Sequence, residues 1–318
     1  SALLRATETG IAPTWHFHSE IYGKQDWTGT PQETLDSLYQ RRAKQLREKY
    51  DYVVLSFSGG SDSWTALQAF KKSGLHLDEI LIRWPIKASD SRYKVDATNP
   101  HASNILSEWD LTIIPILNQK ISVIDWSDEL LNCEIDDDDW VNALPQDYLN
   151  VGAMIKFNII SDTEQSQIDL GRKTCFIVGV DKPQIMINNN KVYCFFLDKL
   201  ANNSIVKKQV QQGRNYEHFY WTPDLPEITV TQAKHIFINL ITLPNMIKLL
   251  ANKEPYNINK KKIWDKWART IIYPEYNSLQ FFQADKSYTN VFDEVDNWLG
   301  VHQELTYVKS WHWGLCNV

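Results

Sequence analysis

The stretch that most constrains this chain is Val53-Val54-Leu55-Ser56-Phe57-Ser58-Gly59-Gly60-Ser61-Asp62-Ser63. A continuous apolar run stops at two adjacent glycines set among hydroxyl groups and one carboxylate. Immediately after it, Trp64, Leu67 and Phe70 recur at helical spacing. The stretch therefore predicts a buried strand, a tight turn and a helix. Glycine lets the backbone turn sharply and approach a ligand closely. A helix start offers free N–H groups and the positive end of the dipole, which together suit an anion. Ser58, Ser61 and Ser63 add hydroxyl donors. Asp62 would repel a bare phosphate, so its place is explained by a bridging Mg2+.

The flanking segments read as a strand–helix alternation. Before the motif, a helix is expected over 32–50. Thr30 would cap it, Pro31 would open it and Glu33 would close a capping box. Leu35, Leu38, Tyr39 and Leu46 would face inward, and Arg41, Arg42, Lys44, Arg47 and Lys49 would face solvent. After the motif helix, which Ser73-Gly74 ends, strands are expected over 78–84, 111–117 and 174–180, with helices over 101–109 and 151–170 between them. Residues 184–197 read as a β-hairpin about Asn188-Asn189-Asn190. Repeated βα units imply a parallel sheet. Past residue 200 the alternation is expected to stop, leaving helices over 229–242, 244–253 and 260–272.

The expected fold class is thus α/β, a doubly wound, mostly parallel sheet with a mainly helical C-terminal region. The expected division is an N-terminal extension and helix at 1–50, a nucleotide-binding unit at 51–200 and a helical substrate or partner region at 201–318. Ligands of open parallel sheets lie beyond the carboxyl ends of the strands. That rule puts Arg83 and Trp84, at the end of the second strand, near where an adenine or ribose would lie, with Trp84 reading either as a stacking platform or as a core residue. It also puts Asp181 and Lys182, after the fourth strand, on the same rim as Gly59 and Gly60.

The motif is not a Walker loop, because no Lys follows the second glycine. Ser58-Gly59-Gly60-Ser61-Asp62-Ser63 resembles the S-G-G-x-D-S signature of the PP-loop superfamily, the N-type ATP pyrophosphatases. That superfamily includes asparagine and argininosuccinate synthetases, tRNA-thiolating enzymes and the phosphoadenylylsulfate (PAPS) reductases. The resemblance implies a Rossmann-like PP-loop fold that binds Mg-ATP, splits it between the α and β phosphates, and adenylates an acceptor. It implies nucleotide contacts along Ser56, Phe57, Ser58, Gly59, Gly60, Ser61, Asp62 and Ser63. Asp62 would be the metal ligand, and Asp62, Ser63 and Lys182 would have catalytic roles. The layout is similar to that of the PAPS-reductase-like branch, which binds a sulfonucleotide without splitting ATP. The reductases carry a C-terminal Glu-Cys-Gly, whereas Cys316 here stands in Gly314-Leu315-Cys316. A nucleotide-binding protein without turnover is the third reading.

Charge and cysteine usage narrow the partners. The chain of 318 residues carries a net charge of −6, which argues against a globally basic nucleic-acid binder. Residues 207–270 nevertheless hold 11 Lys/Arg against 5 Asp/Glu. Within them Lys260, Lys261 and Lys262 interleave with Trp264 and Trp267, a mix that suits either a nucleic-acid phosphate backbone or a solvated helix with buried tryptophans. The acidic stretch 125–147 reads as a solvated loop. Cys133, Cys175, Cys194 and Cys316 form no C-x-x-C pair, and Cys175 and Cys194 sit in apolar runs as core candidates. No apolar run reaches the ~20 residues of a membrane span, and residues 1–10 do not read as a signal peptide. The expectation is a cytoplasmic protein.

Overall fold

A strand with apolar residues on both faces is stable only inside a sheet covered on both sides. The first such strand, β1 (Tyr52–Ser56), is buried at every position. The computed structural model describes residues 18–57, 61–83, 120–125, 160–179, 183–188, 191–196, 213–244, 247 and 267–273. Within them the helices are α1 (Ser19–Tyr22), α2 (Leu35–Lys49), α3 (Ser61–Lys72), α4 (Asp162–Asp169) and α5 (Glu227–Ile241). Residues 267–272 are also helical. The strands are β1, β2 (Glu79–Arg83), β3 (Lys120–Ile124), β4 (Thr174–Val178), β5 (Pro183–Asn188), β6 (Lys191–Phe196) and β7 (Asn215–His218).

Five strands form one all-parallel sheet in the order β3-β2-β1-β4-β7. This is a Rossmann-like α/β layout. The order runs outward from β1 to β3 on one side and resumes at β4 on the other, so the direction reverses between β1 and β4. Those two strands pair Tyr52 with Thr174 through Leu55 with Ile177. β5 and β6 form the expected hairpin, antiparallel from Pro183↔Phe196 to Asn188↔Lys191.

Alternation along the strands assigns the faces. Val53, Leu55, Ile80, Ile82, Cys175 and Ile177 point into the main core, which α2, α3 and α5 close with Leu38, Leu46, Leu67, Phe70, Ile228 and Ile236. Burying each aliphatic or aromatic side chain of this size contributes roughly 1.5–3 kcal/mol. Tyr52, Val54, Leu81, Phe176 and Val178 form the core of the opposite face. α4 lies on that face: its Glu164 binds Arg214, whose guanidinium stacks 4.1 Å from the Phe176 ring centre. Both members of this ion pair are fully buried. The neighbouring Glu79 carboxylate takes donors from Ser161 at 2.8 Å and Tyr52 at 3.1 Å.

Several expectations are corrected. α2 starts at Leu35, where Thr34 accepts from the Ser37 N–H at 3.2 Å, rather than at Thr30. Thr34 takes the extended conformation of a cap immediately before the first buried position, and Glu33 instead accepts from the Ser37 hydroxyl at 2.7 Å. Arg42 is not solvated. It is 0% exposed and donates to Glu217 at 2.8 Å and to the His218 carbonyl at 2.9 Å. Lys49 and the Tyr50 hydroxyl bind the same Glu217 carboxylate, so Arg42 and Lys49 tie the helix to β7, while Lys44 stays exposed as expected. The alternation does not stop at residue 200 either: β7 extends the sheet and α5 closes its main core.

Two strands escape the sequence reading. β3 is half-exposed, with Lys120 outward, and β7 reads Asn-Tyr-Glu-His, polar enough to hide a strand whose Glu217 is satisfied by the buried Arg42 together with Lys49 and Tyr50. The strand expected at 111–117, the helix at 101–109, the acidic stretch after Asp125 and the helix at 248–253 lie outside the described residues. Among the described residues no helix is long and apolar enough to cross a membrane. Cys175 is fully buried, and burial pushes its thiol well above its ordinary value.

Candidate functional site

The carboxyl ends of β1 and β4 flank the point where strand order reverses, the usual ligand crevice of an open parallel sheet. α3 starts at Ser61, five positions after β1 ends. Its amino end therefore rises from this crevice. Asp62 lies in the first turn and Lys71 and Lys72 in the last, the polarity that complements a helix dipole. Gly74 ends the helix region in the left-handed conformation, with φ +63°.

The β4 end comes unusually close to this first turn. A Cβ on Gly179 would lie 3.0 Å from the Asp62 carbonyl carbon, 3.1 Å from its oxygen and 3.1 Å from the Ser63 nitrogen. Only glycine lets strand and helix meet there without displacement. From the other side, the loop after β7 brings in Tyr220, whose hydroxyl donates to the Asp62 carbonyl at 2.6 Å. Phe219, just before it, donates its N–H to the Val178 carbonyl at 3.0 Å and locks the loop to the end of β4.

Asp62 is half-buried, whereas Ser61 and Ser63 are buried. The Ser61 hydroxyl donates to Asp62 Oδ1 at 3.3 Å. The buried Tyr273 hydroxyl faces the same carboxylate. Burial first, and then the Asp62 charge, raise the Tyr273 hydroxyl well above its ordinary value. Burial, then Tyr39 and Asp62, do the same for Tyr220. Both phenols therefore stay protonated at neutral pH, and the Tyr220 hydroxyl is the one that donates to Asp62. Their rings pack 5.4 Å apart, and Tyr220 packs edge-on to Tyr39 at 5.2 Å.

The sequence-derived candidates divide as follows. Ser56 ends β1 and is buried, and Phe57 donates its N–H to the Leu81 carbonyl at 2.9 Å while its ring joins the main core. Ser61, Asp62 and Ser63 come together in the α3 first turn. Arg83 ends β2 and pairs in register with Ile124. Ser58, Gly59, Gly60, Trp84, Asp181, Lys182, Lys260–Lys262, Trp264 and Cys316 lie outside the described residues. Trp267 packs against the main core. Sequence reasoning missed Gly179, Tyr220 and Tyr273. For Gly179 the available signal was a glycine breaking an apolar run at the end of a strand. The two tyrosines carry no local signal, because they reach Asp62 only through the fold.

Asp62 is the one sequence-derived candidate for a metal ligand. Among the described residues no group of three or more His, Cys, Asp or Glu could hold a metal alone. Asp62 is a half-buried carboxylate that accepts from the Ser61 hydroxyl. It suits Mg2+ brought with nucleotide phosphates rather than Mg2+ in an all-protein cage.

The chain matches no protein-family model and no curated protein.

Proposed function

We propose that the chain is a PP-loop-type nucleotide-binding protein that takes Mg-ATP at the β1–α3 turn and adenylates an acceptor, releasing pyrophosphate. One observation carries this reading. The S-G-G-S-D-S motif bridges β1 and α3 at the reversal of strand order, and Gly179 is drawn up against the helix start. An anion beyond the strand ends would meet the free N–H groups of the α3 first turn. Gly59 and Gly60 would let the backbone approach the leaving pyrophosphate, and Ser58, Ser61 and Ser63 would line it. Arg83 and Trp84 would flank the nucleoside, with Asp181 and Lys182 across the crevice and Lys182 at the phosphates.

In the proposed step an acceptor oxygen attacks the α-phosphorus. A new P–O bond forms, the bond from the α-phosphorus to the bridging oxygen breaks, pyrophosphate leaves, and the acceptor's proton, where it has one, passes to solvent. When bound, Mg2+ held by Asp62 would neutralise charge on the phosphates. The protein's own contribution is alignment and preorganised donors, which is where most catalysis of such transfers originates. The acceptor class is a carboxylate, an amide carbonyl or a base carbonyl.

The test is the product. ATP incubated with acceptor pools should yield pyrophosphate and an adenylated product. Release of orthophosphate, or tight ATP binding with no product, would remove adenylation from the reading; the second result would leave a binding protein.

A further inference from the structure

The peptide unit joining Asp62 to Ser63 has two close neighbours from other parts of the chain. Gly179 lies against its carbon, oxygen and nitrogen, and the Tyr220 hydroxyl donates to its oxygen at 2.6 Å. This peptide carries the Ser63 N–H and lies in the first turn of α3. We propose that Tyr220 is a positioning residue that fixes the aim of the phosphate-facing turn, an inference that rests on the nucleotide reading above.

Tyr220 cannot shift alone. Its side chain is 0% exposed, and its ring packs 5.0 Å from Phe219, 5.2 Å from Tyr39 and 5.4 Å from Tyr273. Its own carbonyl accepts from the Thr229 hydroxyl of α5 at 3.3 Å. Tyr39 is pinned in turn: it accepts from Gln232 at 2.9 Å and donates to the Ile272 carbonyl at 2.6 Å. The hydroxyl on Asp62 is thus anchored to α2, α5 and residues 267–273 together. A carbonyl inside a helix already has an i+4 partner, so this lateral donor is not needed to complete the ladder. What it adds is orientation of the turn against the sheet.

The experiment compares the full-length protein with Tyr220→Phe, which keeps the ring and removes only the donor. Inorganic pyrophosphate reports on the turn, and adenosine reports on the nucleoside side of the crevice. Titration calorimetry should show pyrophosphate affinity reduced about tenfold, the size of one lost hydrogen bond in a buried setting, with adenosine affinity unchanged. Amide exchange at 61–64 should speed up while the amides of β1 and β4 hold. Equal losses for both ligands would make Tyr220 merely structural, and no change in either ligand or in exchange would also overturn the proposal. If the unsubstituted protein binds neither ATP nor pyrophosphate, it is the nucleotide reading that fails.

Discussion

Substituting Gly179 by Ala tests whether the close approach of β4 to α3 is what shapes the site. The added methyl would sit 3.0 Å from the Asp62 carbonyl carbon and 3.1 Å from two more backbone atoms. Such contacts are tighter than a Cβ normally makes, so strand or helix must yield by a few tenths of an ångström. Neither is loose. β4 is bonded to β1 on one side and β7 on the other, and the Asp62 carbonyl is held by Tyr220. Overpacking of this kind costs about 1–3 kcal/mol. Gly179 has no positive φ, so the reduced freedom of the unfolded chain returns about 0.4–1 kcal/mol. The expected net loss is about 1–2 kcal/mol, read as a lower urea midpoint by tryptophan fluorescence. Displacement of the Ser63 N–H should weaken ATP binding by about tenfold or more, since sub-ångström alignment governs such sites. Leu170→Ala, at a position 70% exposed, is the control. A Gly179→Ala protein with an unchanged midpoint and unchanged ATP affinity would refute the argument.

Three further outcomes follow from named contacts. Asp62→Asn should abolish the Mg2+ dependence of ATP binding while the urea midpoint stays; retained Mg2+-dependent turnover would take the carboxylate out of the site. Arg214→Met should cost roughly 3–5 kcal/mol, because it strands the fully buried Glu164 carboxylate. Pairing it with Glu164→Leu should recover much of that loss, and a double variant as unstable as the sum of the singles would contradict this. Glu217 is raised by burial but lowered further by Arg42, Lys49 and Tyr50, so its carboxyl titrates below its ordinary 4.5. A depressed folded value means the tie contributes fully above that ordinary value and is lost as pH falls through the lower one. Acid unfolding of Glu217→Gln, followed by circular dichroism, should therefore be shallower below about pH 4.5, and an unchanged acid limb would refute the role of this carboxylate.

The fold was legible where apolar pattern and burial coincide. β1 and β4 are five-residue apolar runs buried at every position, and in α3 the turn signal at Gly74 marks a true left-handed cap. It was illegible where charge is internal. Pattern reasoning assigns Arg42 to solvent because isolated buried charges are costly. In this fold Arg42 and Glu217 each remove the other's cost across 175 residues of sequence, a compensation no local window contains. The same exchange hid β7, and with it the continuation of the sheet past residue 200.

The site was legible to the same limit. Ser61, Asp62 and Ser63 could be singled out because a helix start suited to an anion has a local signature of glycine and hydroxyl residues, and the structure groups the three in the first turn of α3. The frame that holds them leaves no signal within the motif itself, since Gly179 follows β4 and Tyr220 follows β7, both far from the motif in sequence. That separation has a consequence for how the site is built. The motif supplies donors, but a free helix terminus can tilt, and tilting dilutes alignment. Here the tilt is blocked by a strand end with no side chain and by a phenol whose partners lie in α2, α5 and residues 267–273. Loosening α5 by a core substitution such as Ile236→Ala should therefore weaken phosphate affinity as well as stability, whereas an equal loss of stability placed at Arg214 on the opposite face of the sheet should leave that affinity intact.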